Sequence, residues 1–177
     1  FTNDVWPYVI KELTATKRAL AALCGVNIEN MALTENVTSG CVLPIWGISF
    51  SSNERLLISD CEHPGIIAAC KELARRESLH IDVLKVQHLR GGANNKNITR
   101  DLVLQSLEDS LKPSTRLVVL SHILWNTGQT MPIESVYKAL KNHPNRPFLL
   151  VDAAQSFGQI PIKTAVAHSD IYAFTGH

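Results

Sequence analysis

Residues 115–128 read TRLVVLSHILWNTG, and this stretch decides the fold. Leu117 to Leu120 form a continuous apolar run, too short for a buried helix and far too short to span a bilayer. Such a run is the signature of a strand covered on both faces, and it breaks off abruptly into Ser121, His122 and the turn residues Asn126, Thr127 and Gly128. Four further runs repeat the pattern: RLLIS (55–59), IDVLKV (81–86), PFLLVD (147–152) and DIYAF (170–174). Between them, stretches with helical periodicity lie near residues 65–76, 99–111 and 133–140. Strands buried on both faces and alternating with helices predict an α/β fold, a doubly wound, mostly parallel sheet with helices on both sides.

Upstream, Val5, Val9, Leu13, Leu20 and Leu23 keep mostly helical spacing, and Gly25 stands where that helix would stop. Thr34 and Glu35 suit the start of a second helix, with Val37, Cys41, Ile45 and Ile48 on one face and a kink expected at Pro44. The stretch QHLRGGANNKN (87–97) reads as a loop.

In a sheet of this kind ligands bind at the carboxyl ends of the strands, so the residues that follow each run carry the chemistry. They are Asp60-Cys61-Glu62-His63, Ser121-His122 with Trp125-Asn126, Asp152-Ala153-Ala154-Gln155, and Thr175-Gly176-His177. Free N–H groups at the helix start near Thr34 add a seat for a phosphate. Taken singly, Asp152 reads as a cap or turn residue, His63 and Asn126 read as turn residues, and Gln155 says nothing. Their joint pattern supplies a carboxylate, imidazoles, amides and hydroxyls to one rim. That is the set required by a phosphorylated aromatic cofactor: an anion site, a plane to stack on, a carboxylate for a ring nitrogen and amides for a phenolic oxygen.

Composition narrows the classes. Seventeen basic and sixteen acidic residues balance, without a basic run, which argues against a nucleic-acid partner. No apolar stretch is long enough for a membrane helix. The four cysteines, Cys24, Cys41, Cys61 and Cys70, form no CxxC pair, so no metal site is read from them, and buried thiols in a reducing compartment are expected. Neither GxGxxG nor GxxxxGK[ST] occurs.

DAAQSFGQIPI (152–162), followed by SDIYAFTGH (169–177), resembles the class V aminotransferase family of fold type I pyridoxal 5'-phosphate (PLP) enzymes, which includes cysteine desulfurases and cyst(e)ine C–S lyases. LTENVTSG, DCEHPGIIAA and TRLVVLSHILWNTGQTMPI extend the likeness over nearly the whole chain. CEHPGII, SHILWNTGQ and YAFTGH look nearest to the lyases of cyanobacterial type. In that family the last histidine directly precedes the Schiff-base lysine. The resemblance therefore implies that residues 1–177 are the PLP-binding large domain, cut just before that lysine and without the carboxyl-terminal small domain.

The resemblance also implies roles. Asp152 would hold the proton on the pyridine nitrogen and His63 would stack on the ring, these two being the catalytic positions. Thr34, Thr175 and His177 would contact the phosphate, Asn126 and Gln155 the phenolic oxygen, and Ala154 would pack beneath the ring. Lys163, ahead of the last strand, is no substitute for the missing lysine. The implied activity is β-elimination from cysteine or cystine, with cysteine desulfurase as the alternative. A third reading, outside catalysis, is a PLP-fold fragment without activity, and the 177 residues alone are expected to be inactive. The implied assembly is a homodimer, and the expected location is the cytoplasm, with a plastid also compatible.

Overall fold

The computed structural model describes residues 2–89 and 96–176, with the side chains of residues 2 and 96–98 left aside. The elements run α1 (Thr2–Cys24), α2 (Val37–Gly47), β1 (Arg55–Ser59), α3 (Pro64–Glu77), β2 (His80–Leu84), α4 (Lys96–Ser110), β3 (Thr115–Ser121), α5 (Ile133–Asn142), β4 (Phe148–Asp152), α6 (Lys163–Ala167) and β5 (Ile171–Ala173). Five strands form one parallel sheet in the order β2-β1-β3-β4-β5.

The apolar runs explain the layering, because alternate residues of each strand face opposite sides. Leu56, Ile58, Leu117, Val119 and Leu150 pack with Cys41 and Ile45 of α2 and with Ile66, Cys70 and Leu73 of α3. Leu57, Val118, Leu120, Leu149 and Val151 pack with Val103 and Leu107 of α4 and with Val136 and Leu140 of α5. Helices thus cover both faces, as the runs predict. The five strands fall on the five predicted runs to within two residues at each end. The short α6 is an addition, since five residues are too few for a periodic signal.

Local chemistry sets the helix ends. The His63 side chain caps α3, Pro64 occupies its first turn, and Ser78 closes it in the left-handed region at φ 54°. For α2 the expected start moves: Asn36 is the cap, its side chain accepting from the Ser39 N–H, and the helix opens at Val37 rather than at Thr34. Helix α1 ends before Gly25, whose φ of 74° suits glycine. The stripe on α1 behaves differently from expectation. Val5, Leu13 and Leu23 are exposed together with Trp6, Tyr8 and Ile10, while Ala21 and Cys24 make the buried contact with Met31 and Ile162.

Candidate active site

The strand order places the site. Chain connections leave β1 towards β2 on one side and β3 towards β4 on the other, so a crevice opens at the carboxyl ends between β1 and β3. Pairing follows this divergence. The β1–β3 ladder ends at Ile58↔Val119, whereas β3–β4 continues to Ser121↔Asp152. A cavity of about 210 Å³ sits at the fork, lined by Val37, Thr38, His63, Ser121, Ile123, Trp125, Asp152, Ala154, Gln155 and Thr175. Larger clefts of about 650 and 800 Å³ lie along β5 and around α2, but neither combines a carboxylate with an imidazole.

Asp152 ends β4 almost wholly buried, at 5% exposure. One carboxylate oxygen accepts from the Ala154 N–H at 2.9 Å, which leaves the other for a donor in the cavity. Burial raises the Asp152 carboxyl above its ordinary value, opposed by the Ala154 N–H. The strand end is held on both sides: His122 N–H donates to the Asp152 carbonyl at 2.8 Å, and Ala153 N–H donates to the Ala173 carbonyl at 2.7 Å.

His63 accepts from the Gly65 N–H through Nδ1 at 3.2 Å, which puts the proton of the neutral ring on Nε2. Its ring meets Trp125 edge-on, with centroids 6.3 Å apart. A side chain at Gly65 would come within 3.3 Å of that Nδ1, so the glycine gives the ring its place. The turn-histidine and site-histidine readings are both true of His63. Thr175 contributes the sharpest anomaly: its buried hydroxyl has no hydrogen-bond partner among the described residues, and it lines the cavity.

Five of the residues singled out from the sequence therefore meet at one cavity: His63, Asp152, Ala154, Gln155 and Thr175. Two do not line it. The Thr34 hydroxyl donates to the Asn36 carbonyl at 2.9 Å, ahead of the helix start, and Asn126 sits exposed in the turn beside Trp125. His177 lies outside the described residues. Lys163 opens α6 with its methylenes beside Gly25 and takes no part in the cavity wall.

Sequence reasoning placed Glu62 and Ser121 at the rim but gave neither a role. Glu62 is buried and accepts from Ser59 Oγ at 2.5 Å, from the Ser121 N–H at 2.9 Å and from Ser121 Oγ at 2.7 Å. Burial raises its carboxyl to about 7 against the pull of those donors. A carboxylate beside the cap histidine in DCEH was the available signal, but its bonds to Ser121 form only when β1 and β3 lie side by side.

The four cysteines are free and buried, as expected. Desolvation raises all four thiols, Cys70 to about 12, so none is a ready thiolate. Among the described residues, no group of three or more His, Cys, Asp or Glu side chains could hold a metal, and no helix is long and apolar enough to cross a membrane.

A parallel α/β sheet with a carboxylate, an imidazole and an orphaned hydroxyl at its switch point defines a small-ligand site of cofactor-binding type. The family profile for class V aminotransferases matches residues 6–177, and the chain belongs to that family. A cysteine desulfurase from Nostoc sp. is 27% identical over 169 residues, covering 94% of this chain and 39% of the relative. A solved structure of the cystine C–S lyase C-DES, in complex with its reaction product cysteine persulfide, is 34% identical with a TM-score of 0.86, covering 97% of this chain and 43% of that one. A variant of C-DES carries glycine covalently linked to its PLP cofactor. The fold alone is shared with an apo cysteine desulfurase from Thermococcus onnurineus NA1, at 23% identity and a TM-score of 0.77. The chain thus spans about two-fifths of the length of the proteins it matches.

Proposed function

We propose that this chain carries the cofactor half of a PLP-dependent enzyme acting on a sulfur amino acid, cysteine or cystine, by β-elimination. The observation that carries the reading is the pairing of buried Asp152 with His63 across one cavity at the sheet's switch point. The residues fit the cofactor. Asp152 has a carboxylate oxygen to spare for a ring N–H, and the Thr175 hydroxyl is a buried group awaiting a partner. Ala154 leaves room for a flat ring. At about 210 Å³ the cavity falls below the roughly 300–1,000 Å³ of larger ligand pockets and suits a single ring. Val37 and Thr38, in the first turn of α2, line the same cavity where helix N–H groups favour an anion.

When bound, PLP supplies an electron sink for the substrate's α-carbon. Asp152 holds the proton on the ring nitrogen, and burial keeps that ion pair strong because few waters compete. His63 would stack on the ring, with its own orientation fixed by the cap to Gly65. Gln155 and Asn126 serve the phenolic oxygen, and Thr34, Thr175 and His177 serve the phosphate. Their conditions differ. Gln155 and Thr175 already stand at the cavity, whereas Asn126 must turn in from its exposed position and Thr34 must give up its bond to Asn36.

The 34% identity to C-DES over 97% of this chain supports the lyase reading, with pyruvate, ammonia and sulfide or persulfide as products. Cysteine desulfurase is the second reading, supported by the Nostoc relative, and it would take a nucleophilic cysteine other than these four buried thiols. A homodimer is part of the proposal, supported by the exposed Trp6, Tyr8, Ile10 and Leu13 of α1. Four free thiols accord with a cytoplasmic or plastid location.

The test is to express the full-length protein, look for visible absorbance that borohydride abolishes, and assay products from cysteine and cystine. Pyruvate is expected. Alanine in its place would move the assignment to desulfurase, and a colourless protein that makes neither would overturn the PLP reading.

A further inference from the structure

The fork between β1 and β3 holds a device that the cofactor-binding reading does not use. Where the ladder stops at Ile58↔Val119, the Glu62 carboxylate takes over the bridging: Ser59 Oγ from β1 and both the N–H and Oγ of Ser121 from β3 donate to it. An ionised carboxylate only accepts, so three donors fix the direction of every bond. Ser59 Oγ in turn accepts from the Cys61 N–H at 3.2 Å, which ties its proton inward. Ser121 is the one member of this chain that also lines the cavity.

A hydroxyl has a single proton, and in Ser121 that proton is directed at Glu62. We propose that Glu62 is a positioning residue that sets the hydrogen-bond polarity of Ser121 at the cavity wall. With Glu62 ionised, Ser121 offers the cavity lone pairs alone and matches a donor, such as an N–H of the bound cofactor or substrate. With Glu62 protonated on Oε2, the acid O–H donates to Ser121 Oγ, and the Ser121 proton, displaced from that oxygen, turns towards the cavity, while Oε1 keeps accepting from Ser59 Oγ and the Ser121 N–H. One proton added at a fully enclosed carboxyl thereby turns a wall acceptor into a wall donor without moving the backbone.

The surroundings make the carboxyl responsive near neutral pH. Asp152 from β4 repels the charge, and Cys41 from α2, Cys70 from α3 and Cys61 from the same loop are neutral thiols that offer no compensating cation. His63 follows directly in sequence, but its ring is turned to the Gly65 N–H and to Trp125. Desolvation outweighs the three donors, and proton uptake falls at about 7.

The inference rests on the proposed cofactor site, and its test separates the two. In the full-length protein, the Glu62 carboxyl is followed by carbon NMR against pH in wild type and in Ser121→Ala, with no cofactor added. Loss of the one charge-assisted hydroxyl contact, with the backbone N–H of residue 121 still donating, should raise the Glu62 midpoint by about one pH unit. An unmoved midpoint would overturn the coupling whatever the cofactor does. PLP is then added, and its visible absorbance is followed from pH 5.5 to 8.5. A spectral step is expected in wild type and should vanish in both Glu62→Gln and Ser121→Ala. A step that persists in both variants would sink the proposal while leaving PLP binding intact, and failure of the wild type to bind PLP would overturn the functional reading instead.

Discussion

Two buried carboxylates lie at the carboxyl-end rim of the sheet, Glu62 in the loop after β1 and Asp152 at the end of β4, and they differ in what surrounds them. Glu62 is enclosed by three protein donors, whereas Asp152 has a single backbone N–H and an open cavity in front. A buried charge is tolerated only when its bonds are made. Glu62 completes its bonds within the chain and so reads as part of the framework. Asp152 leaves one oxygen for something that arrives later. The number of bonds left unmade, more than burial, marks the residue that meets a ligand.

Breaking the ligand-facing carboxylate should have the largest effect. Asp152→Asn in the full-length protein removes the charge that holds a ring proton and should lower kcat by roughly 10²-fold or more, with little loss of fold stability. Steady-state kinetics beside a denaturation curve would check it, and unchanged kcat would place the two carboxylates in one class. Glu62→Ala should show the opposite profile. Leaving the Ser59 and Ser121 donors without partners is expected to cost about 3 kcal/mol of stability, read as a lower denaturant midpoint.

The comparison can be sharpened through pH. Burial raises Glu62 from an ordinary 4.5 to about 7, so across that interval the folded state keeps a proton that the unfolded state has lost. Its contribution to stability therefore falls as pH rises from 4.5 towards 7. Glu62→Gln lacks this loss, and its stability relative to wild type should climb over the same window by up to about 3 kcal/mol. Parallel stability curves for the two proteins would contradict the buried-charge account.

The smallest expected effect is at Thr175. Its hydroxyl has no partner among the described residues, so Thr175→Val should change the stability of the cofactor-free protein by less than about 1 kcal/mol. The same change should weaken PLP binding, measured by equilibrium titration. A large loss of stability without cofactor would mean that the hydroxyl already serves the fold.

Much of this was legible in the sequence, for identifiable reasons. The five apolar runs fix strands covered on both faces, because a continuous run such as Leu117 to Leu120 has no polar side to show to water. Strand ends followed by Asp152, His63 and Thr175 point to a common rim, because parallel strands present all their carboxyl ends on one side. Local signals were less reliable where two residues compete for one role. Thr34 and Asn36 both suit a helix cap, and only the folded backbone chose Asn36. Periodicity on α1 likewise reported an apolar stripe without saying what covers it, and the stripe turns outward here.

The sequence by itself determined the parallel layered sheet and the residue types at its rim, since both follow from short-range patterns of apolar and polar positions. Tertiary structure alone decided which rim residues share a cavity, that Asn126 stays outside it, and that Glu62 is buried between two serines from different strands. Those outcomes depend on contacts between residues as far apart in the chain as Glu62 and Ser121, and on burial that no single segment encodes.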